Sequence, residues 1–218
     1  MRRHDLLTVD PIVWEAMLGR HPALRDLPLL ADWSRHGWPV IVRRRMAGDA
    51  LGSVPAALPL PPEHGKRRLA FSFPDSLGLL PLAPVSVSDA ALTAPDAWQA
   101  VIAGLVELGE TVGVSPRVFG SLLWQHLTGL SYLTMRSDLD LLWSGADRTR
   151  VETLVAGLLR LDRDSPIRID GELELPDGSA FNWREFADSR DCSSMLLKTM
   201  DGVETRAIAG LFQGCASS

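Results

Sequence analysis

Hydrophobic and polar positions follow different patterns in the two parts of this chain, which we divide near residue 90. Before that point, prolines interrupt the apolar runs and exclude long helices, so short strands and turns are predicted. The two best strand candidates are residues 39–44 and 68–73. A helix is predicted over residues 11–18, because Asp10 can cap it and a proline suits its first position.

Periodic patterns are clearer after residue 90. Apolar residues three and four positions apart predict helices over residues 94–109, 121–130 and 146–161. Apolar and alternating runs predict strands at residues 117–119, 139–143, 167–170, 172–175, 180–183 and 195–198. Helices interleaved with strands and hairpins indicate an α+β fold with a mixed sheet. We therefore expect a mixed β-sheet with flanking helices in residues 91–218, and a smaller proline-rich N-terminal α/β subdomain in residues 1–90.

The composition is that of an ordinary globular protein, with 46% apolar and 22% charged residues among 218. A net charge of −5 argues against broad nucleic-acid binding, which rewards a basic surface. The longest apolar stretch, residues 77–87, is too short and too rich in proline to span a bilayer, so no membrane partner is expected. Two cysteines without metal-site spacing, Cys192 and Cys215, and no expected secretory signal favour a reduced cytoplasmic protein.

Asp138 and Asp140 are the first candidate site residues. They flank the start of a strongly apolar run, and residues two apart in a strand point to the same face. Two carboxylates held that close repel each other, and a bridging divalent cation relieves the repulsion. The alternative is a polar strand end at the surface, but the following strand is too apolar to be solvated. We therefore expect this pair to hold Mg²⁺ or Mn²⁺.

Gly120 and Ser121 precede that pair and follow a short apolar strand. A glycine lets the backbone approach an anion closely, and the serine offers a hydroxyl and a helix N-terminus. Gly-Ser is also a common turn and helix cap, so its significance comes from the aspartate pair behind it. A phosphate cradle beside paired carboxylates indicates phosphoryl or nucleotidyl transfer.

Asp170 is the candidate third carboxylate, acting as a general base or as a further metal ligand. It follows an alternating run that could pair with the strand of Asp140. Asp170-Gly171 is also a strong turn dipeptide, and this alternative stays open. If Asp170 forms a turn, Glu172 is the next choice.

Basic residues supply candidate phosphate contacts. Lys66, Arg67 and Arg68 form a possible triphosphate clamp, and the run 43–45 is similar, although charge runs are usually solvated faces. Lys198 lies inside an apolar strand and needs an anionic partner, which could be a substrate phosphate or one of the carboxylates.

The order of strand, Gly-Ser, helix and Asp-x-Asp resembles the DNA-polymerase-β-like nucleotidyltransferase superfamily. A more specific resemblance extends from residue 3 to about 200. It is to the malonate decarboxylase holo-acyl-carrier-protein synthases, the phosphoribosyl-dephospho-CoA transferases. The segments that carry it are residues 3–7, 58–62, 65–68, 119–133, 137–143 and 182–185.

The resemblance implies transfer of the phosphoribosyl-dephospho-CoA group from triphosphoribosyl-dephospho-CoA to a serine of the apo acyl-carrier subunit of malonate decarboxylase. Pyrophosphate would leave in a two-metal in-line displacement. Asp138, Asp140 and Asp170 would hold the metals, and Gly120 and Ser121 would contact phosphate. Residues 1–90 would bind substrate or carrier, and residues 91–218 would form the nucleotidyltransferase-like catalytic domain.

Two alternatives stay open. One is an NTP-dependent nucleotidyltransferase acting on a small molecule or a protein. The other is a non-catalytic partner subunit with a nucleotidyltransferase fold. The intact aspartate pair opposes the second alternative, because repelling carboxylates without a cation destabilise a fold.

Overall fold

A computed structural model describes residues 1–25, 27–74, 77–145, 147–189 and 193–212. The fold contains helices and two sheets, which confirms the predicted α+β class. The chain divides between Pro84 and Val85 into an N-terminal and a C-terminal unit, somewhat before the expected division. No helix in the described ranges is both long and apolar enough to cross a membrane. Cys192 and Cys215 lie outside the described residues.

The N-terminal unit is built on an antiparallel sheet. Its strands are β1 (Leu6–Val9), β2 (Val40–Val42), β3 (Val54–Pro59), β4 (Arg68–Phe73) and β5 (Leu79–Leu82), and its helices are α1 (Pro11–Gly19), α2 (Pro22–Arg25) and α3 (Pro28–Ala31). Among the described residues the strand order is β4-β3-β2-β1-β5, so β5 returns to pair beside β1. The largest fully buried side chains of this unit are Trp14, Trp33, Phe71 and Phe73.

The predicted helix and two predicted strands of this unit are confirmed. Asp10 caps α1 by accepting a hydrogen bond from the Ile12 N–H at 2.8 Å. Strands β1, β3 and β5 are not among the predicted strands; β1 has no proline, whereas in β3 and β5 proline disfavours strand pairing. In β3, Pro55 has no N–H to donate, but its carbonyl still contributes to the sheet by accepting the Arg43 N–H at 3.1 Å. In β5, Pro81 lies in an edge strand.

Arg43 connects strands β3 and β4 of this sheet with the loop that contains Asp49. Its guanidinium donates to the carbonyls of Ala56 in β3 and Phe71 in β4, at 3.2 and 3.0 Å. Both terminal nitrogens also donate to Asp49, each at 2.7 Å, and the Asp49 side chain is only 7% exposed. Arg43 is therefore neither a solvated charge nor a phosphate clamp. Its hydrogen bonds lower the pKa of Asp49 to about 2.

The C-terminal unit is built on a mixed sheet. Its strands are β6 (Arg117–Val118), β7 (Leu139–Ser144), β8 (Ile169–Glu174), β9 (Ala180–Asn182), β10 (Ser194–Lys198) and β11 (Val203–Ala207). Its helices are α4 (Val87–Ala90), α5 (Gln99–Val112), α6 (Gly120–Thr128), α7 (Arg148–Arg163) and α8 (Trp183–Asp188). Within the described residues the order is β11-β10-β9-β8-β7-β6. Strands β7 and β8 run parallel, joined by α7, and the other pairs are antiparallel.

Alternation along β7 and β8 separates apolar from acidic positions. The buried apolar residues are Leu139, Leu141, Trp143, Ile169 and Leu173, each fully buried. The intervening positions include Asp140 in β7 and three acidic residues in β8, Asp170, Glu172 and Glu174. Successive strand residues point to opposite faces, so the acidic residues share one face of the sheet.

The structure decides between the two interpretations of Asp170-Gly171. The runs predicted as strand at residues 167–170 and 172–175 contribute to the single strand β8, so the alternative of a turn at Asp170-Gly171 is excluded. Gly171 has φ +152°, and a Cβ there would lie 2.0 Å from the Leu141 carbonyl oxygen. The glycine therefore allows β8 to approach β7 rather than reversing the chain. Helix α5 also begins later than predicted, at Gln99, after a short 3₁₀ turn.

Asp49→Asn should lower the free energy of unfolding at pH 7 by about 2 kcal/mol, since the depressed pKa of Asp49 stabilises the folded state. That stabilisation is present above the unfolded pKa of 3.8 and is lost as the pH falls towards 2. About half of it should therefore remain at pH 3. Urea unfolding at the two pH values measures this difference.

The matched control is Asp32→Asn, whose partner Arg35 and own side chain are 69% and 55% exposed. That change should cost less than about 0.5 kcal/mol at either pH. An Asp49→Asn effect of equal size at pH 7 and pH 3 would contradict the lowered pKa.

Gly171→Ala should destabilise the C-terminal unit by roughly 3 kcal/mol or more, because the added methyl group meets the β7 backbone. Gly202→Ala is the control, since a Cβ there meets nothing within 4 Å. It should change stability by less than about 1 kcal/mol. Chemical denaturation compares the two variants, and equal effects would rule out close approach as the reason for Gly171.

Candidate active site

The parallel pair β7–β8 brings two of the predicted carboxylates together. Asp140 and Asp170 are direct register partners across the two strands. Asp138 lies one residue before β7, and it is half-buried like Asp140, whereas Leu139 between them is fully buried. The three candidate carboxylates are therefore on or next to adjoining strands.

The Gly-Ser segment lies against the same strand. The Phe119 N–H donates to the Asp140 carbonyl at 3.1 Å, and α6 begins at the next residue. Gly120 has φ +67°, and a Cβ on it would lie 1.9 Å from Asp140 Oδ2. Only glycine leaves room for this carboxylate at the start of α6. The helix N-terminus also favours negative charge, which suits both Asp140 and a phosphate group.

Asp170 is oriented by neutral donors. Its Oδ1 accepts the Gly171 N–H at 2.7 Å and the Asn182 side-chain N–H at 2.9 Å. Its Oδ2 lies 3.4 Å from the Arg168 guanidinium, which is 57% exposed. An exposed ion pair of this length contributes little, so the two N–H donors on Oδ1 are the main restraint on the orientation of Asp170.

The fallback carboxylate, Glu172, has a different environment. Its Oε1 accepts a hydrogen bond from Lys198 Nζ at 2.7 Å, and its side chain is buried. The sequence predicts that Lys198 pairs with a substrate phosphate or with a carboxylate, and it has a carboxylate partner. A contact between Lys198 and substrate phosphate stays a prediction. Glu174 is paired in the same way with Arg117 at 2.7 Å. Asp170, rather than Glu172, lies opposite Asp140.

The predicted clamp belongs to the N-terminal unit. Lys66, Arg67 and Arg68 are exposed, between a short 3₁₀ helix and the start of β4. Their exposure is compatible with both a solvated face and a phosphate contact. Their role in binding triphosphate stays a prediction.

The donor types at the site fit a magnesium or manganese ion. In the described part of the chain, no three His, Cys, Asp or Glu side chains are grouped so that they could hold a metal by themselves. Mg²⁺, however, is usually bound by one or two carboxylates together with substrate phosphates. Asp140 and Asp170 are two such carboxylates. Asp140 Oδ2 lies in the space that the missing side chain of Gly120 leaves, and Asp170 is the register partner of Asp140.

Two residues with contacts at the site had no predicted role. Asn182 and Arg184 belong to the segment 182–185 that carries part of the family resemblance, but no function was inferred for them. Asn182 contacts Asp170, and Arg184 donates to the Ile169 carbonyl at 2.6 Å. The available signal was an asparagine at a helix start, which predicts a cap but not its second partner.

Comparison with known proteins identifies the family. Residues 2–76 match the model of the phosphoribosyl-dephospho-CoA transferase MdcG N-terminal domain, and residues 82–208 match that of the C-terminal domain. A phosphoribosyl-dephospho-CoA transferase from Bradyrhizobium diazoefficiens is 40% identical over 201 residues, which cover 92% of this chain and 88% of that protein. Transferases of the same name from Xanthomonas campestris pv. campestris and Xanthomonas euvesicatoria pv. vesicatoria are 37% and 35% identical, over 87% and 96% of this chain and 89% and 96% of their own lengths.

No solved structure matches the chain, so its place in the nucleotidyltransferase superfamily stays a prediction. The predicted resemblance to the phosphoribosyl-dephospho-CoA transferases is confirmed by both matched domains and by relatives that cover most of the chain. The chain belongs to the phosphoribosyl-dephospho-CoA transferase MdcG family, and it is a transferase.

Proposed function

We propose that this protein transfers the phosphoribosyl-dephospho-CoA group from triphosphoribosyl-dephospho-CoA to a serine of the apo acyl-carrier subunit of malonate decarboxylase. The observation that carries the proposal is the register of Asp140 with Asp170 beside Gly120, in a chain of this transferase family. This arrangement provides the carboxylates and the helix N-terminus that displacement at phosphorus needs.

In the proposed reaction the serine oxygen forms a bond to the α-phosphorus of the triphosphate. The bond from that phosphorus to the bridging oxygen breaks, and pyrophosphate leaves with the electron pair. Asp170 Oδ2 accepts the serine proton, since Oδ1 is held by two N–H donors. Gly120, Ser121 and the N-terminus of α6 contact the phosphate that carries the developing charge.

Asp138, Asp140 and Asp170 would hold the two Mg²⁺ or Mn²⁺ ions of this site. When bound, such ions neutralise charge on the transferred and leaving phosphates. Exposed Lys66, Arg67 and Arg68 would extend this neutralisation to the triphosphate. The remainder of the N-terminal unit would bind the dephospho-CoA moiety or the carrier. We expect the reaction to take place in the cytoplasm.

Mass spectrometry of the apo carrier subunit tests the proposed reaction. Incubation with this protein, triphosphoribosyl-dephospho-CoA and Mg²⁺ should add the mass of the phosphoribosyl-dephospho-CoA group to the carrier. EDTA should abolish the gain, and a carrier with alanine in place of its acceptor serine should gain nothing. Transfer only from ATP or another NTP would replace the proposal with a different nucleotidyl transfer.

Asp140→Asn and Asp170→Asn should each lower kcat by at least about 100-fold, because both carboxylates act on the reacting phosphate or the serine proton. Glu172→Gln should instead lower the melting temperature, since it removes the charge from the buried carboxylate that pairs with Lys198. Its kcat should stay within about threefold of wild type at a temperature where it is folded. The opposite result for Asp170 and Glu172 would transfer the role of third carboxylate to Glu172.

A further inference from the structure

Strand β8 begins beyond the end of β9. The β8–β9 ladder runs from the Glu174–Ala180 pair to the Glu172–Asn182 pair, so it stops before Asp170. On the side of Ile169 and Asp170 away from β7, no strand in the described residues continues the sheet. The backbone groups exposed there need other hydrogen-bond partners.

Side chains take the place of the missing strand. The Ile169 N–H donates to Asp162 Oδ1 at 3.0 Å, and the Ile169 carbonyl accepts from Arg184 Nη2 at 2.6 Å. The same Arg184 nitrogen donates to Asp162 Oδ1. Burial raises the pKa of Asp162, but hydrogen bonds from Arg184 and from the Ile169 N–H outweigh it and lower the pKa. The charged pair therefore holds both backbone groups of the residue that precedes Asp170.

Asn182 connects this network to the Asp170 carboxylate. Its Oδ1 accepts a hydrogen bond from the Arg184 backbone N–H at 2.8 Å and so caps α8. Its Nδ2 donates to Asp170 Oδ1 at 2.9 Å. If the Asn182 amide were flipped, its NH₂ group would face the Arg184 backbone N–H and its oxygen would face the Asp170 carboxylate. The two contacts are therefore compatible with only one orientation of the amide. Because Asn182 is neutral, it restrains Asp170 without cancelling its charge.

We propose that Asn182, held by the α8 N-terminus, is a positioning residue that directs Asp170 towards the site it shares with Asp140. This inference rests on the proposed function for the role of Asp170. The two N–H donors occupy Oδ1. The exposed Arg168 guanidinium lies 3.4 Å from Oδ2, and in this proposal Oδ2 accepts the serine proton or contacts a divalent cation. Groups that orient a ligating carboxylate typically change metal affinity or activity by about 10–100-fold when removed.

Asn182→Ser separates the two contacts of Asn182, since serine caps a helix as well as asparagine but has no amide to reach Asp170. We expect kcat to fall about 10–100-fold, with KM for the triphosphate donor within about threefold of wild type. Mn²⁺ affinity, measured by electron paramagnetic resonance without substrate, should fall about tenfold. The melting temperature should change by only a few degrees.

Asp147→Ala is the matched control, because Asp147 caps α7 by accepting the Arg150 N–H at 2.9 Å. It should lower the melting temperature while leaving kcat and Mn²⁺ affinity unchanged. If Asn182→Ser does not fold, Asn182→Asp replaces it, since aspartate also caps a helix but presents an acceptor to Asp170. That variant should show the same loss of kcat.

The outcomes separate this inference from the proposed function. Wild-type kcat and Mn²⁺ affinity in folded Asn182→Ser would overturn the positioning role and leave the proposed transfer intact. A wild-type protein that binds Mn²⁺ but does not modify the carrier would overturn the proposed transfer. The Mn²⁺ comparison alone would then decide the role of Asn182. If wild type neither transfers nor binds Mn²⁺, both proposals fail.

Discussion

The parallel pairing of β7 with β8 is the constraint on which the candidate site depends. Parallel strands need a crossover, and α7 provides it between the two strands. The register of the pair places Asp140 opposite Asp170, and Gly171 lets the backbones approach at the next position. A shift by one residue would move either carboxylate to the apolar face of the sheet. The position of the site is therefore decided by backbone pairing.

The three acidic residues on the polar face of β8 differ in the chemistry of their partners. Glu172 and Glu174 are buried and each accepts from a cation, Lys198 or Arg117. Such pairs offset the cost of burying a carboxylate, but they also cancel most of its charge. Asp170 is held mainly by neutral N–H donors, and the exposed Arg168 guanidinium lies 3.4 Å away, so within the described residues no close cation pair compensates this carboxylate as in Glu172 and Glu174. This difference in partners, rather than residue type, separates the candidate site carboxylate Asp170 from the paired Glu172 and Glu174.

Much of the secondary structure could be predicted because its causes are local. The cap and proline that start α1, the glycine that follows α6 and the apolar run of β7 all act over a few residues. The same local information failed at β3, where prolines disfavour a strand that the sheet nevertheless accommodates. It left Gly171 undecided, because Asp-Gly is a turn signal and only the pairing with β7 shows that the residue lies within a strand.

By itself the sequence determined the fold class and the family resemblance and singled out the aspartate pair as a candidate, since periodicity, caps and motifs are short-range properties of the chain. It left Asp170 and Glu172 as alternatives, because both lie in an alternating segment with no local feature to separate them. Only the tertiary structure decided that Asp170 lies opposite Asp140, that Glu172 is paired with Lys198 and that Asn182 contacts Asp170. These are contacts between residues distant along the chain, and they depend on strand register, which a local pattern does not specify.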